Sequence, residues 1–514
     1  MTARSNYPQR TATLKSNAPD EPTDQTLDAL EGRLAQASSY EDWQQAAREH
    51  DRVSGMDAWK QTDESDHYDY ADIGRRLQEL RDLRARGDDM GLLFVLNEGI
   101  HGNMSGIGQS SLYEAARFGT KQLIVAYVDE LIDCLKHVSS LSESDITWDD
   151  KLDFFERASH CFGRSALMLS GAGSLLHFHA GVVKTLFDEN LLPTVVSGSS
   201  GGALIAGVLG THDDDELNAF FASGALAPVC REIFGEPNWQ FRRPQIKAPE
   251  VYRLVELLVA DLTFQEALEK TGRMINITIA SVEKHQASRL MNATTSPNVY
   301  VRSAVLGSCA APSVLDPQKL TAKNVHGEPQ PYLPDKSWVD GAVTDDLPAK
   351  RLARLYGVNH YIVSQANPFS LLLLKSDELW PGPKSVKDVW RHASREWLRA
   401  GEQFSRRYLG PWPRVGQGFN LFYSLYAQEY EGDINIAPSF RLVDPRKVLG
   451  HLKPSEIDEL YEEGRRATWP RLEQIRVATK IGRTLDVILD HHGTHDVRKI
   501  YRKRVTGPRK NSGT

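Results

Sequence analysis

The sequence contains few cysteines. Cys134, Cys161, Cys230 and Cys309 are the 4 in 514 residues, and no two of them form a CxxC pair. Small disulfide-stabilised domains and structural zinc sites need cysteines that are dense or closely paired. The composition therefore argues against both, and it is typical of a protein from a reducing compartment.

An excess of positive charge is also missing. The chain has 61 Lys and Arg against 68 Asp and Glu, which gives a formal net charge of −7. Nucleic acid is therefore not an expected partner, because binding to phosphate backbones needs a basic surface. Basic residues do collect near the end of the chain, and we predict a solvated basic tail at 496–514. The alternative for this tail is attraction to anionic lipid head groups.

Long uninterrupted apolar segments are lacking as well. The uncharged run 191–211 has the length of a transmembrane helix, which needs about 20 apolar residues. However, Pro193 and several serines and glycines interrupt its first half. Residues 1–26 are polar, lack the apolar core of a signal peptide and are predicted to be disordered. We expect a cytoplasmic protein without a transmembrane span.

The periodicity of apolar residues divides the rest of the chain into three parts. Residues 27–161 have helical spacing and predict an all-helical accessory domain. Between 165 and 370, apolar strand segments alternate with helices, which predicts an α/β domain with a mainly parallel sheet. Residues 371–495 are predicted to be a helical C-terminal extension.

The uncharged run 191–211 is predicted to form the end of a strand, a sharp turn and the start of a helix. Its centre is Gly198-Ser199-Ser200-Gly201-Gly202, in which glycines stand two residues before and two residues after Ser200. A nucleophile elbow needs this arrangement, because the serine sits on a strained turn that leaves no room for neighbouring side chains. The pentad alone is not specific, and a structural Gly/Ser turn is the alternative.

A second glycine turn precedes this one by one strand and one helix. Gly171-Ala172-Gly173-Ser174 ends a buried strand and begins a helix. Adjacent parallel strands end on the same side of a sheet, so the backbone N–H groups of this turn are expected to face an oxyanion near Ser200. A nucleotide site is disfavoured, because neither GxGxxG nor a P-loop lysine is present.

A serine nucleophile also needs a base. Asp340 precedes Gly341 at the end of a short apolar stretch, although a lone Asp-Gly is more often a simple turn. The histidines are the other candidates: His177 and His179 on the helix after the glycine turn, His360 at the start of a strand, and His491, His492 and His495 near the end of the chain. Each is interpreted first as a core or surface residue.

Four ordered motifs resemble the patatin-like lipid acyl hydrolases. They are LSGAGSLLHFHAGVVKTL from residue 169, LLPTVVSGSSGGAL from 191, SAVLGSCAAP from 303, and WVDGAVTDDLPAK with NHYIVSQANP from 338 and 359. The helical segment before them is similar to the N-terminal domain of storage triacylglycerol lipases and their bacterial relatives. The resemblance implies a three-layer α/β core with a Ser-Asp dyad.

The resemblance also implies a role for each matching residue. Ser200 is the nucleophile, with Gly198 and Gly202 completing the elbow, and Asp340 is the base. The oxyanion hole matches Gly171, Ala172, Gly173 and Ser174. Ala172 and Leu176 stand where relatives usually have glycine, and the hole survives if the backbone at Ala172 is not left-handed. No metal and no organic cofactor is implied.

The expected activity is hydrolysis of acylglycerol or phospholipid esters at a membrane or lipid-droplet surface. A segment from Arg406 to Tyr430 mixes arginines with aromatics, among them Trp412 and Phe422, which suits interfacial binding, although core packing is the alternative for it. Three other functions stay open: a lipid transacylase with the same site, a Ser-His-Asp esterase, and a catalytically weak lipid-binding scaffold. The oligomeric state is also open.

Overall fold

A computed structural model describes residues 24–142, 145–235, 243–283, 288–311, 314–343, 346–367, 432–439 and 448–491. Its first part is a bundle of helices around α7, whose buried face includes Tyr127, Leu131 and Leu135. Side chains that accept a backbone N–H begin several of these helices, for example Asp69 before α4, and such caps replace the missing intrahelical partner. The helices are α1 Asp24–Gln36, α2 Tyr40–Val53, α3 Met56–Gln61, α4 Tyr70–Arg86, α5 Asp89–Gly99, α6 Ser111–Glu114, α7 Gln122–Ser140 and α8 Trp148–Phe162.

A mixed sheet follows the helical part. Its order is β4-β3-β2-β1-β8-β9, with β7 also paired to β3. The strands β3, β2, β1, β8 and β9 are parallel, whereas β4 and β7 run antiparallel to β3. A separate hairpin joins β5 and β6. The strands are β1 Arg164–Leu169, β2 Val195–Gly198, β3 Met274–Ser281, β4 Arg289–Met291, β5 Leu320–Lys323, β6 Pro329–Tyr332, β7 Trp338–Asp340, β8 Val358–Ser364 and β9 Ile434–Ile436.

Helices cover both faces of this sheet. The larger apolar cluster on one face joins Leu167 and Leu169 of β1 to the helices α9 and α10. On the other face, Ala166 and Met168 of β1 pack with Leu352 of α16. Strands that are buried on both faces are typical of parallel sheets. The helices of this part are α9 Leu176–Asp188, α10 Gly201–Thr211, α11 Asp214–Ala222, α12 Ala227–Phe234, α13 Ala248–Leu258, α14 Phe264–Thr271, α15 Val301–Ser308 and α16 Ala349–Tyr356.

The C-terminal part packs against both the α/β part and the N-terminal helical part. Helix α17 (Pro454–Thr468) crosses α9 closely, because both contribute glycine: a Cβ on Gly181 would lie 2.0 Å from the Tyr461 carbonyl oxygen, and one on Gly464 would lie 2.2 Å from that of Phe178. Helix α18 (Leu472–His491) packs against α7 and α8. The layered α/β core between helical regions is the predicted fold class, which is confirmed.

One element differs from the prediction for 371–495. Within this segment, where we expected helices, β9 adds a parallel strand to the edge of the sheet beside β8. Ile434 and Ile436 are buried in the core. A strand of three residues is too short for its periodicity to be recognised in the sequence.

Candidate active site

The tightest turn at the carboxyl edge of the sheet holds Ser200. Strand β2 ends at Gly198 and α10 begins at Gly201, so Ser200 must reverse the chain within two residues. Its backbone has φ 52° and ψ −119°, which is a sparsely populated conformation for a residue with a side chain and costs about 1–3 kcal/mol. The Ser200 N–H donates to Ser308 Oγ at 2.9 Å, and this bond helps to hold the turn.

Glycine is required around this turn by close backbone contacts. A Cβ on Gly198 would lie 2.3 Å from the Gly202 carbonyl oxygen, and one on Gly202 would lie 2.3 Å from that of Leu169. Both distances are shorter than any real contact of a Cβ atom. The two glycines of the predicted elbow therefore let α10 pack directly on the end of β1.

Asp340 reaches the same point from the opposite direction. Ile277 of β3 pairs with Gly198, and Ile279, two residues later, pairs with Asp340. Strand β4 occupies the other edge of β3 at both positions, so β2 and β7 lie on one edge and point at each other. Two residues along a strand span about 7 Å. The carboxyl ends of β2 and β7 thus converge.

The carboxylate of Asp340 is buried and hydrogen-bonded. Its Oδ1 accepts the Ala342 N–H at 2.9 Å, and the Ser200 side chain is close enough to influence its pKa. Burial raises the pKa of Asp340 from 3.8 to about 6, although the Ala342 N–H and the Ser200 side chain act in the opposite direction. Desolvation disfavours the charged form of a carboxyl group and so makes it a better base.

The glycine turn after β1 borders Ser200. A Cβ on Gly171 would lie 3.7 Å from Ser200 Cβ. The backbone at Ala172 has φ −138° and ψ −21°, so it is not left-handed, whereas Gly173 has φ 53°. Glycine is needed at 173 for a second reason, since a Cβ there would lie 2.1 Å from the Val448 carbonyl oxygen.

The four amides of this turn have different partners. The Gly171 N–H donates to Asp346 Oδ1 at 2.6 Å, and the Ser174 N–H donates to the Val448 carbonyl oxygen at 2.7 Å. Among the described residues, the Ala172 and Gly173 N–H groups have no hydrogen-bond acceptor. Of the four residues predicted for an oxyanion hole, these two therefore present free donors.

Asp346 is a residue of this site that the sequence analysis missed. Its side chain is buried, and besides the Gly171 N–H it accepts Asn367 Nδ2 at 3.1 Å through Oδ2. A buried carboxylate is costly unless donors surround it. The signal available in the sequence was the acidic pair Asp345 and Asp346, five and six positions after Asp340, with no pattern to distinguish either from a surface aspartate.

Among the described residues, no histidine forms a hydrogen bond with the Ser200 side chain. His179 is buried and contacts Ser364 Oγ at 2.7 Å and the Ser170 carbonyl oxygen at 3.0 Å. His177 contacts Cys230 Sγ at 3.9 Å. Burial lowers the pKa of each to about 4, so both are neutral near pH 7.

His360 lies at the other end of the sheet. It pairs in register with Ser165 at the start of β1, four residues before Leu169, which corresponds to about 13 Å along a strand. Its Nδ1 contacts Ser165 Oγ at 2.9 Å. The side chain of His491, and His492 and His495 entirely, lie outside the described residues.

The predicted membrane-facing segments are not among the described residues. Both the aromatic segment 406–430 and the basic tail 496–514 lie outside them. Within the part of the chain that the structure describes, no helix combines the length and apolar character that a membrane crossing needs. In the same part, no three His, Cys, Asp or Glu side chains are grouped so that they could hold a metal ion.

Two family models match the chain. Residues 167–353 match the model described as patatin-like phospholipase, and residues 23–160 match a domain of unknown function, DUF3336. The second match covers most of the helical part, and the first covers the segment from β1 into α16, which includes the elbow and Asp340.

The chain is also similar to curated proteins. It is 32% identical to triacylglycerol lipase SDP1L of Arabidopsis thaliana, over 88% of this chain and 58% of that protein. It is 30% identical to a patatin-like phospholipase domain-containing protein of Aspergillus terreus, over 88% of this chain and 67% of that protein. The chain spans 58% of the length of the Arabidopsis protein and 64% of the length of a patatin-like phospholipase domain-containing protein of Aspergillus niger. Among solved structures, VipD from Legionella pneumophila aligns over 47% of this chain and 55% of its own, at 13% identity and a TM-score of 0.23, which adds nothing to the assignment.

Proposed function

Because this chain belongs to the patatin-like phospholipase family, we propose that it is a serine lipid acyl hydrolase. Its substrates would be the carboxylic esters of acylglycerols or phospholipids. The observation that carries this proposal is the position of the buried Asp340 carboxylate beside Ser200 on its strained turn, where the carboxyl ends of β2 and β7 converge. A base with a pKa of about 6 is largely ionised at neutral pH and still basic enough to accept a proton.

In the proposed reaction, Asp340 accepts the hydroxyl proton of Ser200 while Oγ attacks the ester carbonyl. The negative charge that develops on the carbonyl oxygen is stabilised by the Ala172 and Gly173 N–H groups, and removing one such donor typically costs about 10²–10³ in rate. Asp340 then protonates the leaving alcohol. In the second half, Asp340 takes a proton from water while the water oxygen attacks the acyl-enzyme. The bond from the acyl carbon to Ser200 Oγ then breaks, Asp340 returns the proton to Oγ, and the fatty acid leaves.

In this proposal Asp346 is a positioning residue. Its Oδ1 holds the Gly171 N–H and its Oδ2 holds Asn367. The next two amides of the turn are thereby directed toward the space above Ser200. The carboxylate itself would not touch the substrate.

Covalent labelling tests whether Ser200 is a nucleophile. We expect a fluorophosphonate probe to label the protein and Ser200→Ala to abolish the label. Ser199→Ala is the matched control, because Ser199 is fully buried next to Ser200 and its Oγ makes no hydrogen bond within the described part. If a folded Ser200→Ala protein is still labelled, the nucleophile is a residue other than Ser200. Absence of any label on the wild type would favour a lipid-binding scaffold.

A lipid panel tests the substrate class. Purified protein would be incubated with triacyl-, diacyl- and phosphoglycerides, and free fatty acid would be measured with and without an added monoacylglycerol acceptor. We expect fatty acid from at least one lipid class. Transfer of the acyl group to the acceptor in place of release to water would identify a transacylase. No release and no transfer by protein that takes the label would contradict the lipid assignment.

Peripheral contact with a membrane or lipid-droplet surface is part of the proposal. Lipid substrates are held in aggregates, and segment 406–430 mixes aromatic side chains with arginines as interfacial segments do. Liposome flotation of the wild type against a Trp412→Ala/Phe422→Ala variant tests this. We expect the variant to float less. Equal flotation of a folded variant would assign these aromatics to the core.

A further inference from the structure

A cavity lies at the outer edge of the sheet, beside β4, outside the candidate active site. Its volume is about 370 Å³, within the range of roughly 300–1,000 Å³ that small-molecule sites occupy. It lies along the edge strand β4, where Leu290 packs in the cluster on the α16 face of the sheet and Met291 packs in the cluster on the opposite face, and α16 contributes Arg351, Arg354 and Leu355 to the lining. Its other lining residues are Ser288, Arg289, Thr295, Ser296 and Tyr332.

Positive charge is concentrated at this cavity in a chain whose formal net charge is −7. Three arginines line it and no acidic residue of the described part does. Arg351 donates to Ser288 Oγ at 2.7 Å, which ties α16 to the start of β4. In the described part of the chain, neither Arg289 nor Arg354 forms a salt bridge, and Arg289 lies over the Trp338 ring at 5.4 Å from its centroid.

The chemistry of this lining has two parts. Arginine guanidinium groups bind carboxylate or phosphate oxygens with paired, charge-assisted hydrogen bonds. Leu290, Met291 and Leu355 offer instead apolar surface that a free phosphate ion would leave uncovered. We propose that this cavity binds an anionic amphiphile, with its acid group on the arginines and its hydrocarbon part along these apolar side chains. The ligand is a fatty acid or a lipid with an exposed phosphate.

This site is separate from the candidate active site but close to it. Arg289 and Asp340 pair with the same residue, Ile279, from opposite edges of β3. Neighbouring strands are about 4.8 Å apart, which puts the two backbones about 10 Å from each other. Trp338, under Arg289, lies two residues before Asp340 on β7. Arg289 thus links the cavity, through its contact with Trp338, to the strand that carries the proposed base.

Binding can be measured without any hydrolysis. Oleate, dioctanoyl phosphatidate and inorganic phosphate would be titrated separately into the full chain carrying Ser200→Ala, which lacks the proposed nucleophile and so should not cleave the phosphatidate esters. A diazirine-bearing palmitate would then be photocrosslinked and its adducts mapped by peptide mass spectrometry. We expect adducts in residues 288–296 or 349–356, and binding of at least one of the two amphiphiles much more tightly than phosphate. Tighter binding of oleate would show that the arginines prefer a carboxylate, and tighter binding of phosphatidate would show that they prefer a phosphate.

Two double variants, one at the cavity and one on the N-terminal helical part, each remove two positive charges. Arg289→Gln/Arg354→Gln should weaken amphiphile binding by at least about tenfold, since each substitution removes a charge-assisted hydrogen bond to the acid group. Arg75→Gln/Arg157→Gln, two exposed arginines of the helical part, should change the affinity less than about twofold, because exposed ion pairs far from a ligand contribute little. Adducts only on peptides around Ser200, or unchanged affinity in the cavity variant, would overturn the site. If inorganic phosphate binds as tightly as the two amphiphiles, the cavity binds a simple anion, and the proposal of an amphiphilic ligand is wrong.

Discussion

Replacing Asp340 with asparagine should abolish hydrolysis and at the same time stabilise the fold. The carboxylate is 7% exposed, and burial raises its pKa from 3.8 to about 6. Each pKa unit corresponds to about 1.4 kcal/mol, so keeping this group ionised in the native state costs about 3 kcal/mol. Asparagine carries no charge, and its Oδ1 can still accept the Ala342 N–H.

The size of this effect depends on pH. Below pH 3.8 the carboxyl is protonated in both the folded and the unfolded chain, and its burial as an ion costs nothing. As pH rises from 3.8 to about 6, the unfolded chain releases the proton first, and wild-type stability falls relative to the variant. Above about pH 6 the difference is constant, and it is up to about 3 kcal/mol in favour of Asp340→Asn.

Denaturation of both proteins between about pH 4 and 8 measures this difference. We expect the two denaturation midpoints to separate as pH rises. Asp335→Asn, at an exposed position of the loop before β7, is the matched control and should follow the wild type throughout. A wild type as stable as the variant at about pH 8, or a difference that does not depend on pH, would refute the reasoning. In the same range, wild-type kcat/KM should fall about tenfold per pH unit below about pH 6, because protonated Asp340 cannot act as a base.

Three further predictions concern other residues. His360→Ala should leave a folded enzyme within roughly tenfold of wild-type activity, since His360 pairs at the amino end of the sheet; a loss of several orders of magnitude would indicate a triad. Asp346→Ala should lower kcat about 10²–10³-fold with little change in KM, because Gly171 loses its acceptor, whereas Asp346→Asn should retain more activity; steady-state kinetics of the two variants separates these outcomes. A chain truncated after residue 370 should not take the fluorophosphonate label, since it lacks the Val448 carbonyl that holds Ser174, and labelling at the wild-type rate would contradict this.

The fold could be predicted where the sequence pattern is local. The strand at Met274–Ser281 lies within the part for which an α/β domain is predicted, and it is a run of mostly apolar and β-branched residues, as is typical of a buried strand. The elbow was recognisable because glycine at 198 and 202 is a steric requirement that acts within five residues. Local steric rules of this kind are written directly into the sequence.

The rest of the site depends on contacts between distant segments. Nothing near Asp340 indicates that β7 runs antiparallel to β3, because three residues carry no directional pattern. The bond from Gly171 to Asp346 joins positions 175 residues apart. Which amides of the glycine turn remain free is also decided at a distance, since Val448 occupies the fourth of them.

The C-terminal part is therefore a structural component of the proposed catalytic site. It supplies acceptors for both hydrogen-bond donors of Ser174. The N–H donates to the Val448 carbonyl oxygen, and Oγ donates to the Gly450 carbonyl oxygen at 2.8 Å. Helix α17 packs closely on α9, the helix that follows the glycine turn. The site contains two costly features, a strained Ser200 and a buried carboxylate, and such features persist only where the surrounding structure holds them in place. A fold that ended with β8 would lack these contacts, so the chain beyond residue 431 supplies part of the stability on which the proposed chemistry depends.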